Sequence, residues 1–503
     1  MTKPLHAPRP RGRTALTALR SRSGAIGVAF AVGATTLLGM GALASEAGIW
    51  LRVRRNAQNA ADAAAYAGAL TLSRSGSSAV DGVATDVATR NGFTHNVANS
   101  TVTVAVETWG TNSTPNAVRV NIWQTQSTGL ARLINTAQPV AWGGAVAVLQ
   151  PGGNACTLSI PFQGRSNLPP QVDGSTYIGG SVDINAPNCI IASNLTGRKS
   201  IEIGGNNAAA WLDAAALRAS GQCYRCADVP PNQIPGGYAS NAAETPNPYA
   251  ALDDRTTNPM PTFTCQRPVY RNASGAIVNW RGNNPPNNND WTTVSLPVNT
   301  TNANPAVAVC DMTVDIPGNN AGTQSMNLAP GTYYFNRANL TASAASTITC
   351  SSCDVSRGLG VTMVFTDTIT NNVANASPGY IRLTGGTFNL NAPGTGQGVP
   401  SVYDGVLIYR DPIGGPANAA SSNIRIEGNA SSTIFGGIYA PSSEVQISGS
   451  SLSNPPTGSG YATGCTAFVA GKITFTGNAS IDIRACDLFG TKIARTFVVR
   501  LVQ

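Results

Sequence analysis

The sequence predicts an α+β chain: a single N-terminal transmembrane helix continues into a small α+β module, followed by a β-rich outer domain read as a right-handed parallel β-helix. Three observations carry this reading. Gly24 to Ala44 is a 21-residue run without a charged side chain. An alanine-rich segment, Asn56-Ala-Gln-Asn-Ala-Ala-Asp-Ala-Ala-Ala-Tyr-Ala67, follows it at helical spacing. From Met326 onward short apolar runs recur between Gly-Asn and Ser-Gly turns. Short strands repeated with small turn residues are the mark of stacked coils, in which each coil buries its apolar side only against its neighbours. An antiparallel sandwich is the alternative, because the strand spacing is uneven.

Residues 1–23 are polar and contain Pro and Arg, so they read as a basic cytoplasmic tail. Residues 24–44 form the transmembrane helix: at about 1.5 Å per residue they reach about 31 Å, enough for a hydrocarbon core. The competing expectation is a cleaved signal peptide, since Ala42-Leu43-Ala44 fits a small-x-small cleavage site. The apolar run exceeds the roughly 7 to 15 residues of a signal h-region, and the helical pattern continues through Glu46 to Ala69. A retained anchor is therefore the preferred reading.

Residues 45–149 are read as the α+β module. One long helix covers 24 to about 72. Ala57, Ala61, Ala65 and Ala69 recur at i, i+4 beside a second row, Ala60, Ala64 and Gly68, so another helix can approach closely. Residues 79 to 91 predict a shorter helix. Thr101–Glu107 and Ala117–Trp123 alternate apolar and polar side chains around Gly110 and Pro115, which predicts a hairpin. Leu130–Ile134 predicts a helical turn, and Val140–Leu149 a third strand.

Residues 150–325 are read as a loop-rich extracytoplasmic region, with a helix expected at Ala208–Ala219 and Pro/Asn-rich loops over 227–305. Residues 326–503 are the β-rich outer domain. Its expected strands include Gly331–Phe335, Val361–Phe365, Gly405–Tyr409, Ser432–Tyr439 and Lys472–Phe475.

The formal charge of +8 belongs to the anchor. Residues 1–55 hold nine basic side chains against Glu46 alone, and the other 448 residues balance at 23 of each sign. No basic patch is left for nucleic acid. Six of the nine precede Gly24, which by the positive-inside rule places that end in the cytoplasm. Arg52, Arg54 and Arg55 lie past the span, where long side chains snorkel at the outer headgroups.

All ten cysteines lie between Cys156 and Cys486, as expected for disulfides in an oxidising compartment, with the pairing open. Cys223-Tyr-Arg-Cys226 and Cys350-Ser-Ser-Cys353 formally match two halves of a zinc site. A gap of over 120 residues and only two histidines, His6 and His95, favour disulfides instead.

No catalytic, cofactor-binding or metal-ligating residue is assigned. Residues 150–503 carry 19 acidic side chains and no histidine. Asp253-Asp254 and the pair Asp311 and Asp315 are the densest. Asp404 and Asp411 flanking Arg410 are the best candidates for a lyase-like site, which needs clustered carboxylates or a base near an arginine. Turn-capping aspartates are the preferred reading. Phosphate-loop, serine-elbow and zinc-helix motifs are not found.

The N-terminal 22–149 resembles the Tad-like N-terminal domain of Flp pilus-assembly proteins, the TadG-like group. The resemblance lies in Arg22–Ala31, Glu46–Arg55, the Asn56–Ala67 block, Gly129–Ile134 and Val140-Ala-Trp-Gly-Gly-Ala-Val-Ala147. Ala329–Tyr334, Leu390–Pro393, Asp404–Asp411 and Phe435–Pro441 look like the outer region of the same group. Ala29 stands five residues after Gly24, where pilin-like subunits carry glutamate, so prepilin cleavage is not implied. The Asp-x-Ser-x-Ser metal motif of some relatives is missing; Asp173-Gly-Ser175 fails at its second serine.

The resemblance implies a membrane-anchored extracytoplasmic structural component of Flp/Tad-type pilus assembly. It would sit in the bacterial inner membrane with a cytoplasmic N-terminus and meet other pilus-assembly proteins through the alanine-rich helix. The alternatives are a surface β-helix that binds or cleaves polysaccharide, and a secreted adhesin.

Overall fold

The computed structural model describes residues 22–111, 113–129, 132, 137–162, 173–205, 212–317, 324–343, 345–368, 376–413, 424–428, 432–449, 466–477, 480–482 and 491–502. The chain divides into two compact units, 1–148 with 500–503, and 149–499.

The first unit is built on one helix, α1 (Arg22–Ser75), 54 residues long. Its apolar stretch contains an 18-residue window of mean hydropathy 1.8 that no part of the chain covers. It is long and apolar enough to cross a membrane. The later part of α1 is different: Ala57, Ala60, Ala61, Ala64, Ala65 and Ala69 are completely buried. They pack against α2 (Val80–Arg90), which contributes Val80, Ala84 and Ala88, and against a three-stranded antiparallel sheet. That sheet is β1 (Ser100–Glu107), β2 (Ala117–Thr125) and β3 (Val140–Ser159). β1 pairs with β2 from Ser100↔Gln124 to Glu107↔Ala117, and β2 with β3 from Ala117↔Val148 to Thr125↔Val140. The expected hairpin and third strand are therefore present. The turn expected at Leu130–Ile134 lies outside the described residues.

The second unit is strand-rich and its pairing is almost wholly parallel. The first ladder runs, in spatial order, through Ala308, Tyr334, Val364, Tyr409, Tyr439, Val469, Leu158 and Ala192. The second runs through Ile316, Ala342, Leu383, Ile426, Ile447, Phe475, Ile178 and Ile203. A third joins Val294, Met326, Ile348 and Phe388. Among the described residues, the antiparallel pairing of this unit is confined to the strands Val269–Arg271, Ile277–Val278 and Thr293–Ser295 and a few isolated bridges. The second and third columns face one continuous apolar core.

The spatial order of the rungs is not the sequence order. The chain enters at Thr157–Ser159 and adds Asp183–Ser193, Leu212–Ala219 and Tyr238–Ala239 in one direction. It restarts at Phe263–Cys265 on Ala306–Cys310 and returns rung by rung to Thr466–Thr476. That last strand pairs with Thr157–Ser159 and Thr176–Ile178, so early and late parts of the chain meet inside the sheet.

Two expectations change. Leu212–Ala219 is a strand, not part of a helix. Its alanines pair in register with Asp183–Ser193, Ala214 opposite Ala186 and Ala216 opposite Ile190, and burial on both faces outweighs alanine's helix preference. The stretch 150–325, expected to be loop-rich, contributes rungs to the same ladders as 326–503.

Four disulfides join Cys156–Cys189, Cys223–Cys226, Cys265–Cys310 and Cys350–Cys353. Both CxxC pairs are closed on themselves and hold no zinc site. Cys465 and Cys486 lie outside the described residues.

Candidate functional site

The sequence-selected acids do not converge. Asp404 accepts hydrogen bonds from the backbone N–H groups of Gly396 and Gly398, both at 2.8 Å, and shapes a turn. Arg410 is fully buried. Its guanidinium donates to the carbonyls of Gly379 (2.9 Å) and Pro378 (2.8 Å) and to Ser443 Oγ (2.8 Å). Burial pulls its pKa down to about 10, so it keeps its charge inside the unit. Asp411, also fully buried, accepts from Thr366 Oγ1 at 2.6 Å and from the Ile413 N–H, and pairs with Arg255. Asp254 caps a turn at Thr256. Asp311 pairs with Arg337, and Asp315 accepts from Thr341. Asp173 and Ser175 begin a strand, and their side chains lie outside the described residues. Among the described residues, no group of three His, Cys, Asp or Glu side chains is placed to hold a metal.

Asp253 belongs to a feature that sequence reasoning missed. The segment 240–262 crosses the outer side of the first ladder, rung after rung. Thr245 and Asn194 exchange two hydrogen bonds, at 2.7 and 2.8 Å. Asn247 donates to Tyr439 Oη at 2.9 Å, and the Tyr249 ring lies 5.4 Å from that of Tyr439. Tyr409 Oη donates to the Leu252 carbonyl at 2.9 Å, and Phe263 packs 5.0 Å from Tyr334. The rings of Tyr409 and Tyr439 stack between rungs at 5.8 Å. Gly437 is required here, because a Cβ on it would lie 2.1 Å from Tyr249 Oη. The segment and the column enclose a second apolar core.

Asp253 sits at the centre of this crossing, hydrogen-bonded by Tyr439 with Tyr409 Oη 3.3 Å away. Burial pushes its pKa up to about 7; the two tyrosines and Arg255 oppose the rise, and Asp411 adds to it. A signal for the column was present. Gly405-Val-Leu-Ile-Tyr409 and Gly436-Gly-Ile-Tyr439 end alike, 30 residues apart.

In the first unit, two separate sequence motifs come together. Gln58, within the alanine-rich block, donates to the Gly144 carbonyl at 2.9 Å and accepts from the Gly144 N–H at 3.3 Å. Its amide also donates to Asp62 at 2.8 Å. Gly143 lets the β3 backbone approach: a Cβ there would stand 2.4 Å from the backbone of Ala57 and Gln58. The alanine seam is thus covered by this chain's own α2 and sheet. Leu51, Arg54, Arg55, Gln58 and Trp142 line a cleft of about 360 Å³. In the second unit, Met260, Pro261, Asn304, Tyr334 and Pro400 line another of about 310 Å³.

The comparison with curated proteins finds no match. A crystal structure of the competence-associated pilin ComZ from Thermus thermophilus is similar at 10% identity over 82% of this chain and 90% of that chain. Its TM-score is 0.17, too low to carry an argument about the fold. Residues 24–71, the apolar stretch and the alanine seam of α1, match the family model described as "Putative Flp pilus-assembly TadE/G-like", the Tad-type segment that the sequence resemblance implied.

Proposed function

We propose that this chain is a membrane-anchored, extracytoplasmic structural component of Flp/Tad-type pilus assembly. The observation that carries the reading is the coincidence of the family match over 24–71 with a helix whose first part is apolar and uncovered and whose second part is buried in a folded module. The tail before Gly24 lies in the cytoplasm and the strand-rich unit outside, in agreement with four disulfides among the described residues. The role is structural and not catalytic: Asp404, Arg410 and Asp411 are all engaged by the fold.

The strand-rich unit is a parallel β-helix in this reading. Its ladders recur in the order first, second, third, first, as at Gly331–Asn336, Asn339–Ala342, Thr347–Thr349 and Val361–Thr366. The strong preference of parallel crossovers for one hand makes the coils right-handed. Such a stack of coils presents a long lateral surface.

The test combines membrane extraction, N-terminal sequencing and a deletion. The full-length chain should resist carbonate extraction from inner membranes, start before Gly24, and be required for surface pili but not for glycan turnover. A mature chain starting at Ser45 would overturn the anchor. Normal pili in the deletion strain would overturn the pilus role.

A further inference from the structure

Leu51, Arg54, Arg55 and Gln58 fall at i, i+3, i+4 and i+7, on one face of α1, just past its apolar stretch. Trp142 closes the cleft they line. Its position is built by two glycines. Gly143 allows β3 to touch the α1 backbone, and Gly144 leaves room for the Trp142 ring, which a Cβ would meet at 2.7 Å. The Gln58 amide is used up on Gly144 and Asp62. Among the described residues, Arg54 and Arg55 are exposed and make no ion pair. The rim is apolar: Leu51 is 58%, Val140 54% and Trp142 46% exposed.

The geometry points to a phosphoryl-binding site for the headgroup of an anionic membrane phospholipid, held by Arg54 and Arg55 against Trp142. It rests on the membrane-anchored reading. Paired guanidinium groups suit a phosphate, which they can grip through parallel N–H···O bonds. Side chains on a helix lean toward its N-terminus, so both arginines lean back toward the apolar stretch, whose last residue, Ala44, lies about 15 Å away along the axis. An exposed tryptophan with an apolar rim suits the glycerol and upper acyl region of a lipid better than free phosphate.

The full-length chain is reconstituted in nanodiscs of phosphatidylcholine containing a photo-activatable phosphatidylglycerol, and cross-links are mapped by mass spectrometry. Label should fall on the peptides carrying Leu51–Gln58 and Trp142. The double variant Arg54→Gln/Arg55→Gln should lower it by at least about tenfold, at roughly fivefold for each basic residue near an anionic surface. Millimolar inorganic phosphate should not displace it. Equal labelling of the variant, or label on the span alone, would overturn the site. Displacement by free phosphate would make it a soluble-anion site and overturn the lipid assignment. Carbonate extraction of the same samples reads the anchor separately: a resistant chain without specific label defeats this proposal alone, and a released chain defeats the anchor as well.

Discussion

Arg255 and Asp411, 156 residues apart in sequence, form an ion pair in which the Asp411 side chain is wholly buried and Arg255 remains 40% exposed. The pair ties the 240–262 crossing to the end of the strand Val406–Arg410. A buried carboxylate without its partner is costly, at about 3–5 kcal/mol for a fully buried pair. Partial exposure of Arg255 reduces this, so Arg255→Ala should cost about 2 kcal/mol in urea unfolding. Adding Asp411→Asn should recover part of the loss, because it removes the orphaned charge. A double variant no more stable than the single one would show that desolvation of Asp411 is not the cause.

The crossing should respond to pH through Asp253. Its pKa is raised by burial from 3.8 to about 7 in the folded chain. The fold therefore favours the protonated form. This contribution to stability is complete below pH 3.8 and is lost as pH rises toward about 7. Tyr439, Tyr409, Arg255 and Asp411 are the charged or titratable groups that face it. Urea midpoints at pH 5 and pH 7.5 should fall further in the parent chain than in Asp253→Asn, which lacks the titration. Equal slopes would refute the assignment.

Gly143 should be intolerant of any side chain. A Cβ 2.4 Å from backbone atoms of α1 cannot be relieved by a rotamer change, so Gly143→Ala should destabilise the first unit by about 1–3 kcal/mol. Gly82 is the control, since it lies inside α2 with open space around its Cβ position. There, alanine should stabilise by up to about 1 kcal/mol. Thermal unfolding followed by helical circular dichroism reads both.

The disulfides should differ in worth according to the loop they close. Cys265–Cys310 spans 45 residues and Cys350–Cys353 spans 3. Loop-closure entropy gives about 4 kcal/mol for the first and about 2 kcal/mol for the second. Paired Cys→Ala variants compared by urea unfolding should show this order. The reverse order would mean that native packing around the short bridge outweighs chain entropy.

The first unit was legible because its signals are local. The apolar run, the alanine seam and the alternating strands each state their element within one unbroken stretch of at most 21 residues. What sequence did not reveal is where the seam is satisfied: Gln58 meets Gly144 across 86 residues, a relation no periodicity records. Leu212–Ala219 misled because its Asp-Ala-Ala-Ala-Leu core has a helical composition, while its environment is a parallel strand on either side. Rungs such as Lys199–Ile203, Cys223–Tyr224 and Phe263–Cys265 were hidden by their shortness among Gly, Asn and Pro. The Tyr409 and Tyr439 repeat was visible, but its partner segment is connected only in three dimensions.

Thr157–Ser159 receives the strand Thr466–Thr476 on one side, yet more than 300 residues separate the two. During synthesis the earlier edge must wait, with its amides and carbonyls unmatched on that side, until the late strand has been made. Such an edge invites pairing with a second molecule, and distant closure is slow. The interval between the making of the two strands is when the sheet is most open to mispairing.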